Sequence, residues 1–200
     1  MCLFKKKKKK VSDVTDRIIS EAKEAFKKRV QLAEDLAKNS DTNITIAEVM
    51  EKLQNSDGRD AIISFVWIKP NWDSAKSEKE NLAQFSRIVQ NVVIIESYMD
   101  EVNNGGHEQF YFNSSGEFAD LLEQAIQEVG LTVIKKISAK ANRVFFGART
   151  RNEDRQAEGF FSDAECDILE ECDNEFYKLS DPYKTLEEYV EKNKNNRFYK

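Results

Sequence analysis

Apolar residues recur every three or four positions from Val14 to Leu36, at Val14, Ile18, Ala22, Ala25, Phe26, Val30, Ala33 and Leu36. This spacing predicts one face of a long helix, with Ser12 as its N-cap and Asn39 to Asn43 as its end. Thr45 is placed to cap a short helix carrying Ile46, Val49, Met50 and Leu53, and the turn Asn55-Ser56-Asp57-Gly58 leads into the apolar run Ala61 to Ile68. That run is short enough to be a strand or a buried helix. Its helical neighbours, and the stop supplied by Pro70, favour helix.

Ser77-Glu78-Lys79-Glu80 has the form of a capping box, and the stripe Leu82, Phe85, Ile88, Val89, Val92, Ile95, Met99 and Val102 that follows predicts a central helix. This stripe runs into EVNNGGHEQFYFNSSG, residues 101–116, where Gly105 and Gly106 are suited to end a helix and Phe110, Tyr111 and Phe112 form an aromatic knot. Ser114 to Glu117 reads as another capping box, opening a helix with Phe118, Leu121, Leu122, Ala125, Ile126 and Val129 inward and Gly130 at its end. Val133 to Phe145 predicts the next helix, and residues 146–160 a polar connector. Ser162 to Glu165 starts a helix with Phe161, Ile168, Leu169, Cys172 and Phe176 on one side, and a last helix spans about Thr185 to Lys192.

Composition supports this pattern. Two prolines and seven glycines in 200 residues leave long stretches without the punctuation that many short strands need, and 40% hydrophobic residues suffice for a core. The expected fold is all-α: a single compact multi-helix domain with a disordered basic tail. Residues 1–10 form that tail, 11–75 a helical extension packing on the core, and 76–200 the main domain. No apolar run approaches a membrane span, and no signal-peptide core follows the N-terminal lysines, so the chain is expected in the cytoplasm. Three cysteines suit a reducing compartment, and the Asn43 and Asn113 glycosylation-type triplets are then irrelevant. Cys166 and Cys172 are poorly spaced to share a metal on a helix, and with a single histidine neither a metal site nor a cofactor is expected.

Lys5 to Lys10 contribute six positive charges to a net charge of −5, so residues 11–200 carry −11. A run of like charge next to Cys2 raises the idea of a lipidated anchor, but Cys2 stands where myristoylation needs glycine, and a solvated tail is the simpler reading. The acidic body favours basic partners and disfavours direct contact with nucleic acid.

The only histidine, His107, lies in the glycine-rich stretch. A hydrolase would use Ser114 or Glu101 with His107, yet no third orienting group is evident and Ser114 already has a capping role. The glycine pair lacks the spacing and the Gly-Lys-Ser/Thr ending of a P-loop. Carboxylate pairs such as Glu101 with Glu108, or Glu96 with Asp100, are also what a solvated helix face presents.

The stretch resembles the signature of a bacterial family of domains of unknown function that includes DNA-mimic proteins, Glu-Val-x-Asn-Gly-Gly-aromatic-x-Gln-aromatic-x-x-Asn-Ser-x-Gly. Glu101, Val102, Asn104, Gly105, Gly106, Gln109, Phe110, Asn113, Ser114 and Gly116 match it, and the resemblance extends over about residues 77 to 195. His107 departs from it, standing where the family usually has an aromatic. The resemblance implies a helical fold, no established enzymatic activity and, for the DNA-mimicking branch, a dimer whose acidic surfaces occupy the DNA-binding face of a transcription factor. An immunity-type antagonist of a toxin would use the same chemistry.

Ten acidic residues lie between Glu153 and Glu175, against the single base Arg155. On a helix starting near Ser162, Asp163, Asp167, Glu170 and Glu171 share the outer side, with successive carboxylates about 4.5 to 6 Å apart along the axis. That approaches the spacing of phosphates on DNA, roughly 3.4 Å per strand. Glu158, Asp163, Asp167, Glu170, Glu171, Asp173 and Glu175 are therefore the candidate partner-binding residues. Glu101, Asn104, Gly105, Gly106, His107, Gln109, Phe110, Asn113 and Ser114 are read as architecture.

Overall fold

The structure is a computed structural model that describes residues 19–20, 23–38, 43–55, 57–68 and 71–200. The tail at 1–10, the Ser12 cap, the stop at 39–42 and Pro70 lie outside the described residues. In order, the chain forms α1 (23–38), α2 (Ile46–Lys52), α3 (Gly58–Val66), α4 (Glu78–Leu82), α5 (Arg87–Phe112), a 3-10 turn (Ser114–Phe118), α6 (Ala119–Val129), α7 (Thr132–Arg149), α8 (Asp163–Phe176) and α9 (Tyr183–Asn193). The class is all-α, as the periodicity predicts. Among the described residues the only β pairing is two isolated bridges.

Helix α5 is the axis of the fold. Val92, Val93, Ile94 and Ile95 are consecutive and all fully buried, so this stretch is enclosed on every side rather than along one stripe. The 3-10 turn, α3, α6, α8 and α9 all pack against α5, and α7 spans α6 and α8. Ile46, Val49, Ala61, Ile62, Phe65 and Val66 are buried in the same hydrophobic cluster as Tyr98, Met99 and Val102. The short run 61–68 is thus helical as far as Val66, with Trp67 capping it and exposed, and the helix is entered through Asp57, whose carboxylate accepts the Arg59 and Asp60 backbone N–H groups.

The boundaries differ from the sequence reading in three places. The Ser77/Glu80 capping box exists, but it opens only the short α4, and the central helix begins at Arg87. Between them Phe85 is drawn into extended pairing with Tyr199, while Phe198, fully buried, meets Phe65 and Phe85 edge-on at ring separations of 4.9 and 5.7 Å. The C-terminal residues also bond to Ile44 O and Gln84 O, tying the C-terminus to the segment before α2 and to α5's entrance. Second, Ser114 opens a 3-10 turn with no side-chain cap, because Glu117 instead accepts the backbone N–H of Glu78 at 2.9 Å and Ser114 lies beside the Glu78 carboxyl. Third, α7 continues to Arg149, into the expected connector.

Candidate functional site

The signature segment does not end α5; it kinks it. Gly105 (φ −161°, ψ 24°) and Gly106 (φ 80°, ψ −178°) leave helical geometry, and one further helical stretch follows to Phe112. A Cβ on Gly106 would stand 2.4 Å from Oδ2 of Asp173, and one on Gly105 would stand 2.1 Å from Oε1 of Gln109. The first glycine thus lets Gln109 fold back, and the second combines a left-handed backbone with the close approach of α8.

Asp173 uses that approach to hold His107. Its Oδ1 accepts the His107 backbone N–H at 2.8 Å and also the ring Nδ1–H. With the proton on Nδ1, Nε2 accepts the Tyr98 hydroxyl at 2.8 Å. Burial pushes the Tyr98 phenol well above its ordinary value, so it remains a donor. Tyr98 and His107 are both fully buried, and Phe110 and Phe176 close edge-on around Tyr98. The result is a staple joining both halves of kinked α5 to α8.

Glu101 forms a second clamp across the kink. Its carboxylate accepts from Gln109 Nε2 at 2.6 Å, Asn113 Nδ2 at 2.9 Å and, more distantly, the Ser115 hydroxyl at 3.4 Å. Phe110 is buried beneath, and Asn104 is exposed at the rim of a 760 Å³ cleft that Gln109, Phe112, Asn113, Phe161 and Cys166 also line.

These partners separate His107, fully buried, from Ser114 and Glu101, which share a small surface cleft with Ser115. His107 faces Tyr98 and Asp173, Ser114 faces Glu78, and Glu101 faces Gln109, Asn113 and Ser115. Glu108 points instead toward the Cys166 thiol, whose pKa is pushed up by burial and by that carboxylate. Glu96 lies near Asp100, but its partner is Arg59 at 2.6 Å, and burial lifts the Glu96 carboxyl to about 7 despite that cation. Among the described residues no three His, Cys, Asp or Glu side chains gather to hold a metal ion.

The acidic helix α8 begins at the Ser162/Glu165 capping box. Glu165 also pairs with Arg151 at 2.5 Å, and these bonds hold its carboxyl at about 2. Glu171 pairs with Lys140 at 2.8 Å, while Asp173 turns inward to His107. Glu158, Asp163, Asp167, Glu170 and Glu175 are exposed and make no ion pair among the described residues. No lysine or arginine occurs from Glu158 to Glu175, and Arg155 and Lys178 flank the row at its two ends.

Tyr98 escaped the sequence reading, and Asp173 was assigned outward. The available signal was weak: a tyrosine set within an apolar stripe, nine residues before the histidine. Among the described residues no helix is long and apolar enough to cross a membrane.

No curated protein and no solved structure matches the chain. The family described as DMP19-like protein matches residues 83–193, from just before α5 to the end of α9, somewhat short of the 77 to 195 expected. The matched region spans more than half of the sequence and contains the kink, both clamps and the acidic helix; the chain belongs to the DMP19-like protein family.

Proposed function

We propose that this protein is a non-enzymatic, cytoplasmic protein-binding domain, an acidic DNA mimic that inhibits a DNA-binding protein such as a transcription factor. The observation that carries the reading is the row of exposed carboxylates at Glu158, Asp163, Asp167, Glu170 and Glu175, unpaired within the described residues and lying inside the family-matched region. A basic DNA-binding face meeting these groups would be steered to them and would release counterions much as it does on DNA. Glu171 joins the row when Lys140 yields. Asp173 acts from behind, fixing α8 against α5 rather than touching the partner.

The signature EVxNGG…Q…NSxG is, in this reading, the device that keeps α8 in place: Glu101 clamps the kink, the glycines permit it, and the residue after them packs in the core. His107 fills the site of the family's aromatic and adds hydrogen bonds to Tyr98 and Asp173. In the same reading residues 11–75 serve as an extension packing on that domain, and the protein pairs as a homodimer.

The test is affinity capture from the native host at low and high salt, followed by competition with duplex DNA. A DNA-binding protein released by salt and displaced by DNA is the expected result. Capture of a toxin with a basic active cleft would favour the immunity-type reading instead. Recovery of no basic partner at low salt would defeat both.

A further inference from the structure

Where the end of α3 meets α5 and the 3-10 turn, the surface cleft of 390 Å³ that holds Ser114 and Glu101 is also lined by Trp67, Asp100, Asn104 and Ser115. Among the described residues no lysine, arginine or histidine lines it. Trp67 is 41% exposed, and its ring is steadied by Trp72 at a centroid separation of 4.2 Å. The two carboxylates have neutral partners only. Asp100 Oδ1 accepts the Tyr183 hydroxyl at 3.0 Å, and Glu101 Oε2 accepts the Gln109 and Asn113 amides. Glu101 Oε1 has only the Ser115 hydroxyl at 3.4 Å, and that single proton has the Phe110 carbonyl closer, at 3.2 Å. Asp100 Oδ2 has no donor among the described residues. Arg59, which lies over the Tyr183 ring, is held by Glu96 at 2.6 Å.

We infer that this cleft binds the guanidinium of an arginine side chain presented by a protein partner. Charge and shape select the occupant together. Two adjacent carboxylates without a cation repel an anion, and an apolar group would strip their water without replacing its hydrogen bonds. A metal ion would need more anionic ligands, and among the described residues no third His, Cys, Asp or Glu side chain joins these two. A guanidinium meets every feature: its planar face stacks on an indole, and its forked N–H groups donate to the carboxylate oxygens that lack a partner. The more strongly hydrated lysine ammonium has neither the plane nor the fork. The inference rests on the basic partner proposed above and adds a second point of attachment to it. Asn104 also borders the larger cleft that reaches Phe161 and Cys166 at the start of α8, so a partner lying across Asn104 reaches both the arginine site and the carboxylate row.

The experiment is an NMR titration of the isotope-labelled full chain with the peptide acetyl-Gly-Arg-Gly-amide and with its citrulline counterpart, which keeps the shape of arginine and lacks the charge. The chain has only two tryptophans, Trp67 and Trp72, so the indole N–H signals report on the cleft directly. The arginine peptide should shift the Trp67 indole and the Asn104 side-chain amide saturably, at millimolar concentrations as suits so small a ligand, and the citrulline peptide should bind about tenfold more weakly. Asp100→Asn, at an exposed position and still able to accept from Tyr183, should weaken binding by about threefold or more, and Trp67→Leu by a similar factor. Equal shifts with citrulline, shifts confined to α8, or unchanged binding by both variants would overturn the inference. The titration involves no captured partner, so its failure strikes the cleft alone. A cleft that binds the arginine peptide in a chain that captures no basic protein would strike the α8 reading alone.

Discussion

Gly106 is the residue on which the kink depends most, because it has both a positive φ and no room for a Cβ beside Asp173. Gly106→Ala should lower stability by roughly 2 kcal/mol or more, combining left-handed strain with displacement of the carboxylate that holds His107. Urea denaturation measures it; a loss well below 1 kcal/mol would mean that α8 is not seated against the kink. His107→Phe tests the same seat from the other side. It keeps the aromatic volume but leaves the Tyr98 hydroxyl without its acceptor, so the variant should fold with a loss of about 1 to 3 kcal/mol and bind its partner as before. Abolished partner binding in a folded His107→Phe protein would give the histidine a role beyond packing. From the sequence, the glycines announced a special backbone and the missing third group spoke against a triad. Asp173 could not be found that way, because its partner lies 66 residues away and it sits in a run of carboxylates that looks uniformly outward.

Among the elements, the helices were legible wherever a periodic stripe met a capping pair, as at Thr45/Glu48 and Ser162/Glu165. Ser77/Glu80 misled because a genuine capping box says where a helix starts and not how far it runs. The interruption before Arg87 comes from Phe85 pairing with Tyr199, which no local pattern records. Where α3, α5 and α9 meet, Arg59 bonds Glu96 and lies 4.7 Å from the Tyr183 ring centroid, with Asp57 and Asp100 nearby. Burial, outweighing Arg59, raises the Glu96 carboxyl from 4.5 to about 7, so the folded state holds this proton more tightly than the unfolded chain does. That contribution to stability is complete below pH 4.5 and is lost as pH rises through about 7, a change on the order of 3 kcal/mol. Glu96→Gln should flatten the stability profile between pH 5 and 8. An unchanged slope in denaturation at those pH values would show that Glu96 ionises as freely folded as unfolded.

For the whole molecule, class and charge division followed from the sequence: few glycines and prolines gave helices, and subtracting the lysine run exposed an acidic body. What composition could not show is which carboxylates are already spoken for. Glu165, Glu171 and Asp173 have partners within the protein, whereas Asp163, Asp167, Glu170 and Glu175 make no ion pair among the described residues. The central claim is that these unpaired groups stand in for phosphates. It is tested most directly by measuring the affinity of the captured DNA-binding partner for the wild type and for a variant carrying Asp163→Asn, Asp167→Asn, Glu170→Gln and Glu175→Gln, each over a range of salt concentrations. The account predicts weaker binding by the variant, a shallower dependence of its affinity on salt, and displacement of the wild type by duplex DNA. Equal affinity and equal salt dependence in the two proteins would contradict it.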